Sequence, residues 1–281
     1  MPIETSFVNT TPRLQGHVTD CHFHVFPQGI APVAAARYAP GYGAPLEQWR
    51  RGAQSHGVTR GVLVQPSFLG SDNSFLLEML RTAAGRLLGV AVVAPDIERA
   101  ELEAMHGLGV RGVRLNLVGT RHRILAASQK LFAHIQSLYW HVELHTEPGR
   151  LLSVLQQLPS DLTLVLDHFG RPADSGELDL IVRGRQDRLF VKLSAPYRLH
   201  GLTPQALARR WSGLLGPDKL LWGSDWPCTA HEDRQQAAQD PAVLHDWLGD
   251  PNLASAVLGR NPDLLYGFPC AEEEGVRVLS R

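Results

Sequence analysis

The stretch VTDCHFHVF, residues Val18–Phe26, combines apolar alternation with a carboxylate and two imidazoles. Its Val, Phe and Thr content and its end at Pro27 predict a β-strand. Because successive side chains of a strand point to opposite faces, the pattern predicts that Asp20, His22 and His24 share one face. Two imidazoles on one face can bind a single cation. The competing interpretation is a strand that carries these polar residues incidentally. It is less favoured, because each polar side chain buried in a strand needs a hydrogen-bond partner.

The bulk composition is that of an ordinary globular protein. The chain has 281 residues, of which 44% are hydrophobic and 20% charged, and this length suits one large α/β domain. A formal net charge of −1 offers no basic surface for nucleic acid. The sequence shows neither an apolar run of the roughly 18 residues that cross a membrane nor a signal peptide. Three cysteines form no disulfide framework. We therefore predict a cytoplasmic protein, and the sequence leaves a homo-oligomer open.

Strand and helix patterns alternate along the rest of the chain. After a long Ala-, Pro- and Gly-rich loop, further strands are predicted over residues 61–67, 87–93, 110–117, 141–146, 162–169, 189–194 and 220–226, each followed by a helical pattern. Eight such units in about 250 residues predict a single (β/α)8 TIM barrel over residues 18–281, preceded by a surface arm over residues 1–17. A doubly wound open sheet is the alternative, but no Gly-rich phosphate turn follows any strand.

Polar residues gather at the ends of these predicted strands. Barrel enzymes carry their chemistry at the C-terminal ends of the strands. The sequence places His22 and His24 there on the first strand, His145 on the fifth, His168 on the sixth and Asp225 on the eighth. Each residue alone also has a structural interpretation, such as a turn cap for Asp225. Their convergence on one rim predicts a shared site.

This set of side chains is typical of metal-assisted hydrolysis. We expect His22, His24, His145 and Asp225 to hold one divalent metal ion, with zinc as the first choice, since catalytic zinc sites combine such ligands with an open position for water. Manganese and iron accept the same ligands. The metal lowers the pKa of bound water to about 7. Asp225 is also placed to accept the proton of that water, and His168 to stabilise the oxyanion.

Four motifs carry a resemblance to a known family. They are Asp20-x-His22-x-His24, His145 on the fifth strand, DHFGRP at residues 167–172 and WGSDWP at residues 222–227. Together they resemble the amidohydrolase superfamily. Within this superfamily the pattern resembles the branch of 2-pyrone-4,6-dicarboxylate hydrolases and lactonases and, more distantly, metal-dependent decarboxylases. The resemblance runs from about Val18 to Pro269. It implies a barrel that hydrolyses a lactone or a related cyclic ester or amide.

The resemblance leaves metal dependence open. Pyrone-dicarboxylate hydrolases are understood to act without metal, with the aspartate as base, and they lack a histidine at the end of the fifth strand. This chain has His145 there, as the metal-dependent relatives do. Arg114 and Asn116, and no lysine, occupy the face of the fourth strand where a carbamate would bridge two metals. The sequence therefore favours one metal ion over two.

Cationic residues after the strands predict a small anionic, carboxylated substrate. A guanidinium group binds a carboxylate through paired hydrogen bonds. The resemblance implies substrate contacts at positions held here by Arg114, Arg171, Arg198, Ser67 and Tyr38. Ser67 could instead cap the next helix, Tyr42 competes with Tyr38, and Arg121 and Arg123 are interpreted as surface charges. Deeper on their strands, Lys192 is predicted to be a buried ion-pair partner and Glu143 to orient a ligand from behind.

These observations favour a hydrolase that opens a small carboxylated lactone or related ring by activated water. A metal-dependent decarboxylase of the aminocarboxymuconate-semialdehyde type is the first alternative, because it would use the same ligands and release carbon dioxide. The second alternative is a barrel that binds a small anion without turnover.

Overall fold

The computed structural model describes residues 17–83, 85–119, 126–234 and 239–268. The predicted arm, apart from His17, and the two arginines at positions 121 and 123 lie outside the described residues. Within them, eight parallel strands form one sheet in the order β1 to β8. The strands are Thr19–Phe23, Arg60–Val64, Leu87–Ala91, Val110–Asn116, His141–His145, Leu164–Leu166, Leu189–Leu193 and Leu220–Trp222.

Main-chain contacts between the two ends of the sheet close the barrel. His24 N donates to Trp226 O at 2.7 Å, and Asp225 N donates to His22 O at 2.8 Å. Phe23 and Trp226 form a parallel bridge. The predicted (β/α)8 barrel is confirmed. The predicted strands were too long at their C-terminal ends, because the chain leaves the ladder there to build the loops of the mouth.

Helices alternate with the strands. Those in the described residues, α1 to α10, are Leu46–Ser55, Ser74–Thr82, Arg99–Gly107, Gln129–Ser137, Leu151–Leu155, Glu177–Val182, Pro204–Leu215, Val243–Leu248, Pro251–Leu258 and Arg260–Tyr266. Side-chain caps begin two of them: Thr203 accepts from Ala206 N before α7, and Asp250 accepts from Asn252 N before α9. In this part of the chain, no helix has both the length and the apolar content to span a membrane.

Two apolar clusters fill the barrel wall and its interior. The larger one joins the outward faces of the strands to the helices. The smaller one consists of alternate strand residues on the inner face, closed at the N-terminal end by Tyr266 and Phe268; its strand members are Cys21, Val62, Val64, Leu88, Val90, Val165, Phe190 and Leu221. The interior is therefore packed with apolar side chains at the bottom, and most of the polar residues of the interior lie in its upper part.

The first strand departs from simple alternation. The register between β1 and β2 shifts between Asp20 and Phe23, as a β-bulge does. Asp20 therefore points outward, where it accepts hydrogen bonds from Trp49 Nε1 on α1 and from the backbone N–H and hydroxyl of Ser224. The prediction that Asp20 shares a face with His22 is wrong. Asp20 instead joins β1 to α1 and to the segment after β8.

His141 is a polar residue at the packed bottom of the barrel. Its ring contacts the Tyr266 ring edge to face, with centroids 5.2 Å apart, and within the described residues neither ring nitrogen has a hydrogen-bond partner. Burial, and next the charge of Lys192, lower the pKa of His141 to about 3. The unfolded chain therefore binds a proton near pH 6.5 that the folded chain binds only near pH 3.

This difference predicts an acid sensitivity that His141→Leu removes. The stability contribution of neutral His141 is fully present above pH 6.5 and is lost as the pH falls toward 3. Between pH 7 and pH 5 the loss amounts to about 2 kcal/mol of the free energy of unfolding. Urea unfolding of both proteins at the two pH values measures it. An equal loss in His141→Leu and the parent protein would contradict this assignment.

Candidate active site

The two histidines of the first strand enter the mouth of the barrel. His22 lies in β1 and His24 directly follows it. His24 Nδ1 lies 2.8 Å from Val64 O. Since a carbonyl oxygen only accepts, Nδ1 carries the ring proton and His24 Nε2 presents a lone pair to the mouth.

Three candidate ligand atoms converge at this point. Asp225 Oδ1 lies 3.4 Å from His22 Nε2 and 3.6 Å from His24 Nε2. All three residues are buried, and their ligand atoms lie within 4.8 Å of one another. Burial lowers the pKa of His22 to about 3, so that its ring is neutral at pH 7. A converging set of two imidazoles and one carboxylate is suited to one cation.

Two neighbours hold the other carboxylate oxygen of Asp225. Its Oδ2 accepts hydrogen bonds from Tyr197 OH at 2.6 Å and from Arg198 Nε at 3.1 Å. Burial alone would raise the pKa of Asp225, but His168 and Arg198 together hold it well below the usual range. Asp225 is therefore ionised at neutral pH. Sequence reasoning missed Tyr197, although it directly precedes the predicted Arg198.

His168 lies beside this cluster. It is the second residue after β6, it is buried, and its Nδ1 lies 3.0 Å from Ser194 Oγ after β7. Its ring centroid is 5.0 Å from that of His22. Burial lowers the pKa of His168 well below its usual value, against the opposing charge of Asp225. With the Ser194 hydroxyl donating to Nδ1, the remaining nitrogen carries a proton that can be donated to an oxyanion.

The fourth predicted ligand, His145, lies among arginines instead. Its Nδ1 is 3.4 Å from Arg114 Nη2, and its Nε2 is 3.3 Å from Arg171 Nη1. Burial first, and then these guanidinium charges, lower the pKa of His145 well below its usual value. The structure thus brings His22, His24 and Asp225 together and places His145 outside their group.

The predicted substrate-binding arginines have different partners. Arg114 is buried and donates from Nε and Nη2 to Asp167 Oδ2 at 3.0 and 2.8 Å, so its charge is already paired. Arg198 donates to Asp225 and to Thr229 O. Arg171 donates from Nη1 to Thr146 O at 3.0 Å, and its Nε has no partner within the described residues. Arg171 is therefore the arginine best placed to receive an anion.

Tyr38 lies on the long loop after β1. Its hydroxyl and that of Tyr42 both donate to Glu232 Oε1 on the loop after β8. Arg37, on the same loop, donates to Asn116 Oδ1 at the end of β4 at 3.3 Å. The loop is thus attached to two other loops of the mouth. Tyr38 and Tyr42, the two competing choices for a substrate contact, therefore both bind Glu232.

Ser67 lies on the loop after β2. It begins a short 3-10 turn, Ser67–Leu69, and is exposed. At the start of α2 it is Asp72, and not Ser67, that accepts from Ser74 N, at 3.1 Å. This position does not support the helix-cap alternative for Ser67, whose contact with a substrate stays a prediction.

A buried ion network lies directly beneath the cluster. Lys192 pairs with Glu143, and both side chains are fully buried; the predicted ion-pair role of Lys192 is confirmed. His22 Nδ1 lies 3.2 Å from Asp167 Oδ1 and 3.6 Å from Glu143 Oε1. Burial, and then the charge of Asp167, raise the pKa of Glu143, and the charges of Lys192 and Arg114 oppose that rise. These groups fix the orientation of the His22 ring.

The chain matches the family model for amidohydrolases over residues 19–268. It belongs to the amidohydrolase family. This amidohydrolase is 31% identical to a 2-pyrone-4,6-dicarboxylate hydrolase of Comamonas testosteroni, over 90% of this chain and 91% of that protein. It is 29% identical to a 4-sulfomuconolactone hydrolase of Hydrogenophaga intermedia, over 88% of each chain.

A solved structure from Acinetobacter baumannii agrees with the family assignment. It was assigned as a 2-pyrone-4,6-dicarboxylic acid hydrolase and holds citric acid. Its sequence is 32% identical to this amidohydrolase, with a TM-score of 0.82 over 90% of this chain and 100% of that one. The resemblance inferred from the four sequence motifs is confirmed at the level of the family and its fold.

Proposed function

We propose that this amidohydrolase opens a small lactone ring that carries a carboxylate or a comparable anionic group. The convergence of His22 Nε2, His24 Nε2 and the ionised Asp225 carboxylate carries the proposal. It brings a proton acceptor to the point where water is activated. The relatives named after a pyrone dicarboxylate and a sulfonated muconolactone support it, because both names describe an anionic cyclic ester.

The residues present fit one divalent metal ion. The His24 proton is on Nδ1 because that atom faces a backbone carbonyl. The Nδ1 of His22 faces away from this point, toward Lys192 Nζ and Asp167 Oδ1, each 3.2 Å away. Both Nε2 atoms face Asp225 Oδ1, at 3.4 and 3.6 Å, and two imidazole nitrogens and a carboxylate oxygen at this spacing suit a cation between them. We propose that His22, His24 and Asp225 hold this ion, with zinc the first choice.

A bound ion of this type polarises a carbonyl group and lowers the pKa of water to about 7. Asp225 accepts a proton from the attacking water, whose oxygen forms the new bond to the lactone carbonyl carbon. His168 donates a hydrogen bond to the oxygen that gains negative charge. When the ring C–O bond breaks, Asp225 returns the proton to the leaving ring oxygen. The products are a carboxylic acid, which releases its proton to solvent to become a carboxylate, and a hydroxyl group or its keto form.

Arg171 is expected to set substrate affinity. Its Nε has no partner within the described residues and offers a charge-assisted hydrogen bond to a substrate carboxylate. We expect Arg171→Gln to raise KM for 2-pyrone-4,6-dicarboxylate about 10- to 100-fold, the loss of one charge-assisted contact, with kcat little changed. Steady-state hydrolysis is the measurement, and substitution of the exposed Arg99 of α3, Arg99→Gln, is the control. A fall in kcat at unchanged KM would contradict the assignment.

Metal content tests the proposed ligand set. We expect about one equivalent of a divalent ion in protein purified without chelator, by elemental analysis. His22→Ala and His24→Ala should lose it, because each removes a lone pair of the converging group. His145→Ala should retain it, since that ring lies between Arg114 and Arg171. Loss of the ion in His145→Ala would contradict this set, and active metal-free protein would leave Asp225 acting as base alone.

A further inference from the structure

The two carboxylate oxygens of Asp225 have different surroundings. Oδ1 faces the imidazoles of His22 and His24 at 3.4 and 3.6 Å, and Oδ2 accepts from Tyr197 and Arg198. The backbone of Asp225 is also fixed, because its N–H donates to His22 O and Cys228 N donates to its carbonyl oxygen. Only rotation of the carboxylate could exchange its two oxygens, and the contacts at Oδ2 oppose that rotation.

The two donors at Oδ2 differ in what else they can bind. Arg198 keeps 17% of its side chain exposed, and a guanidinium at the mouth is attracted by any anionic substrate. Tyr197 OH makes the shorter contact, 2.6 Å, to Oδ2. The Tyr197 ring is held by the His231 ring, 5.0 Å away, and by the guanidinium of Arg198 at 5.3 Å.

We infer that Tyr197 is the positioning residue of the reaction: it holds Oδ2 so that Oδ1 alone exchanges the proton, and it leaves Arg198 free to turn toward the substrate anion. This inference rests on the proposed function. The hydroxyl of Tyr197 does not exchange a proton with substrate. It acts through Asp225, whose orientation toward the attacking water it maintains, and small errors in such an orientation slow a reaction strongly.

The test compares Tyr197→Phe with a matched loss of a buried hydroxyl. Tyr266→Phe is the control, because the Tyr266 hydroxyl lies at the opposite end of the barrel and has no partner within the described residues. Hydrolysis of 2-pyrone-4,6-dicarboxylate is followed at saturating and limiting substrate. We expect Tyr197→Phe to lose kcat on the order of 10- to 100-fold at a KM within twofold of the parent value. Tyr266→Phe should change neither, and both variants should keep the circular dichroism of the parent protein.

Each other result overturns a stated part of the account. Unchanged kcat in Tyr197→Phe, in a parent protein that turns over the substrate, overturns the inference alone. A raised KM at unchanged kcat makes Tyr197 a substrate contact and overturns it as well. If Arg198→Gln loses kcat while Tyr197→Phe does not, Arg198 is the positioning residue. A parent protein without turnover contradicts the proposed function, and the inference fails with it.

Discussion

Asp225→Asn is expected to lower kcat about 10³-fold, within the range measured for the loss of a general base. The amide has the shape of the carboxylate and keeps an oxygen for Tyr197 and Arg198, so the protein should remain folded. It cannot accept a proton from water, and it offers a neutral group where His22 and His24 converge. Steady-state kinetics, with substrate binding measured by calorimetry, separate the loss of chemistry from a loss of binding.

Two measurements sharpen this prediction. Asp233→Asn, an exposed carboxylate on the same loop, is the matched control and should leave kcat unchanged. Metal content of Asp225→Asn distinguishes its roles, because loss of the ion assigns Asp225 as ligand and retention assigns it as base only. A variant that keeps kcat within tenfold of the parent value would exclude Asp225 from the chemistry.

Lys192→Met is expected to lower the free energy of unfolding by about 3–5 kcal/mol. Lys192 and Glu143 are fully buried and paired, and Asp167 Oδ1 lies 3.8 Å from the same ammonium group. Removal of the cation leaves buried carboxylates without compensation, which is the costly way to break an ion pair. Urea unfolding at pH 7 measures the change. The exposed Lys130→Met serves as the matched substitution and should shift stability only slightly.

The double variant Lys192→Met, Glu143→Gln separates charge from packing. Because it removes both members of the pair, we expect it to recover more than half of the lost stability. A double variant that is less stable than Lys192→Met alone would show that the shape of the lysine side chain, and not its charge, matters at this position. Both variants remove Lys192, whose ammonium group contacts the His22 ring and helps to orient it. We therefore expect both variants to retain less metal than the parent protein.

The sequence predicted the fold because its signal is local and repeated. Eight alternations of apolar strand and amphipathic helix specify a barrel, and the C-terminal strand ends specify where polar residues meet. The convergence of His22, His24 and Asp225 followed from the same rule. The outward turn of Asp20 did not, because a bulge depends on the partner strand and on Trp49 of α1, which the strand pattern does not contain.

Contacts between loops were also beyond the sequence. The placement of His145 between Arg114 and Arg171 depends on which rings and guanidinium groups face each other across β4, β5 and the loop after β6. The pairing of Arg198 with Asp225 depends on the height of two loops above the barrel. The available signal for the missed Tyr197 was its position beside Arg198 after the seventh strand.

Oxygen labelling during turnover tests the central claim most directly. The parent protein is incubated with 2-pyrone-4,6-dicarboxylate in water enriched in oxygen-18, and the product is analysed by mass spectrometry together with any released gas. We predict one labelled oxygen in a new carboxylate of a ring-opened product, no release of carbon dioxide, and a strongly reduced yield of that product with Asp225→Asn. Release of carbon dioxide would identify a decarboxylase, and binding without any product would identify an anion-binding barrel; either result would contradict the proposed lactone hydrolysis.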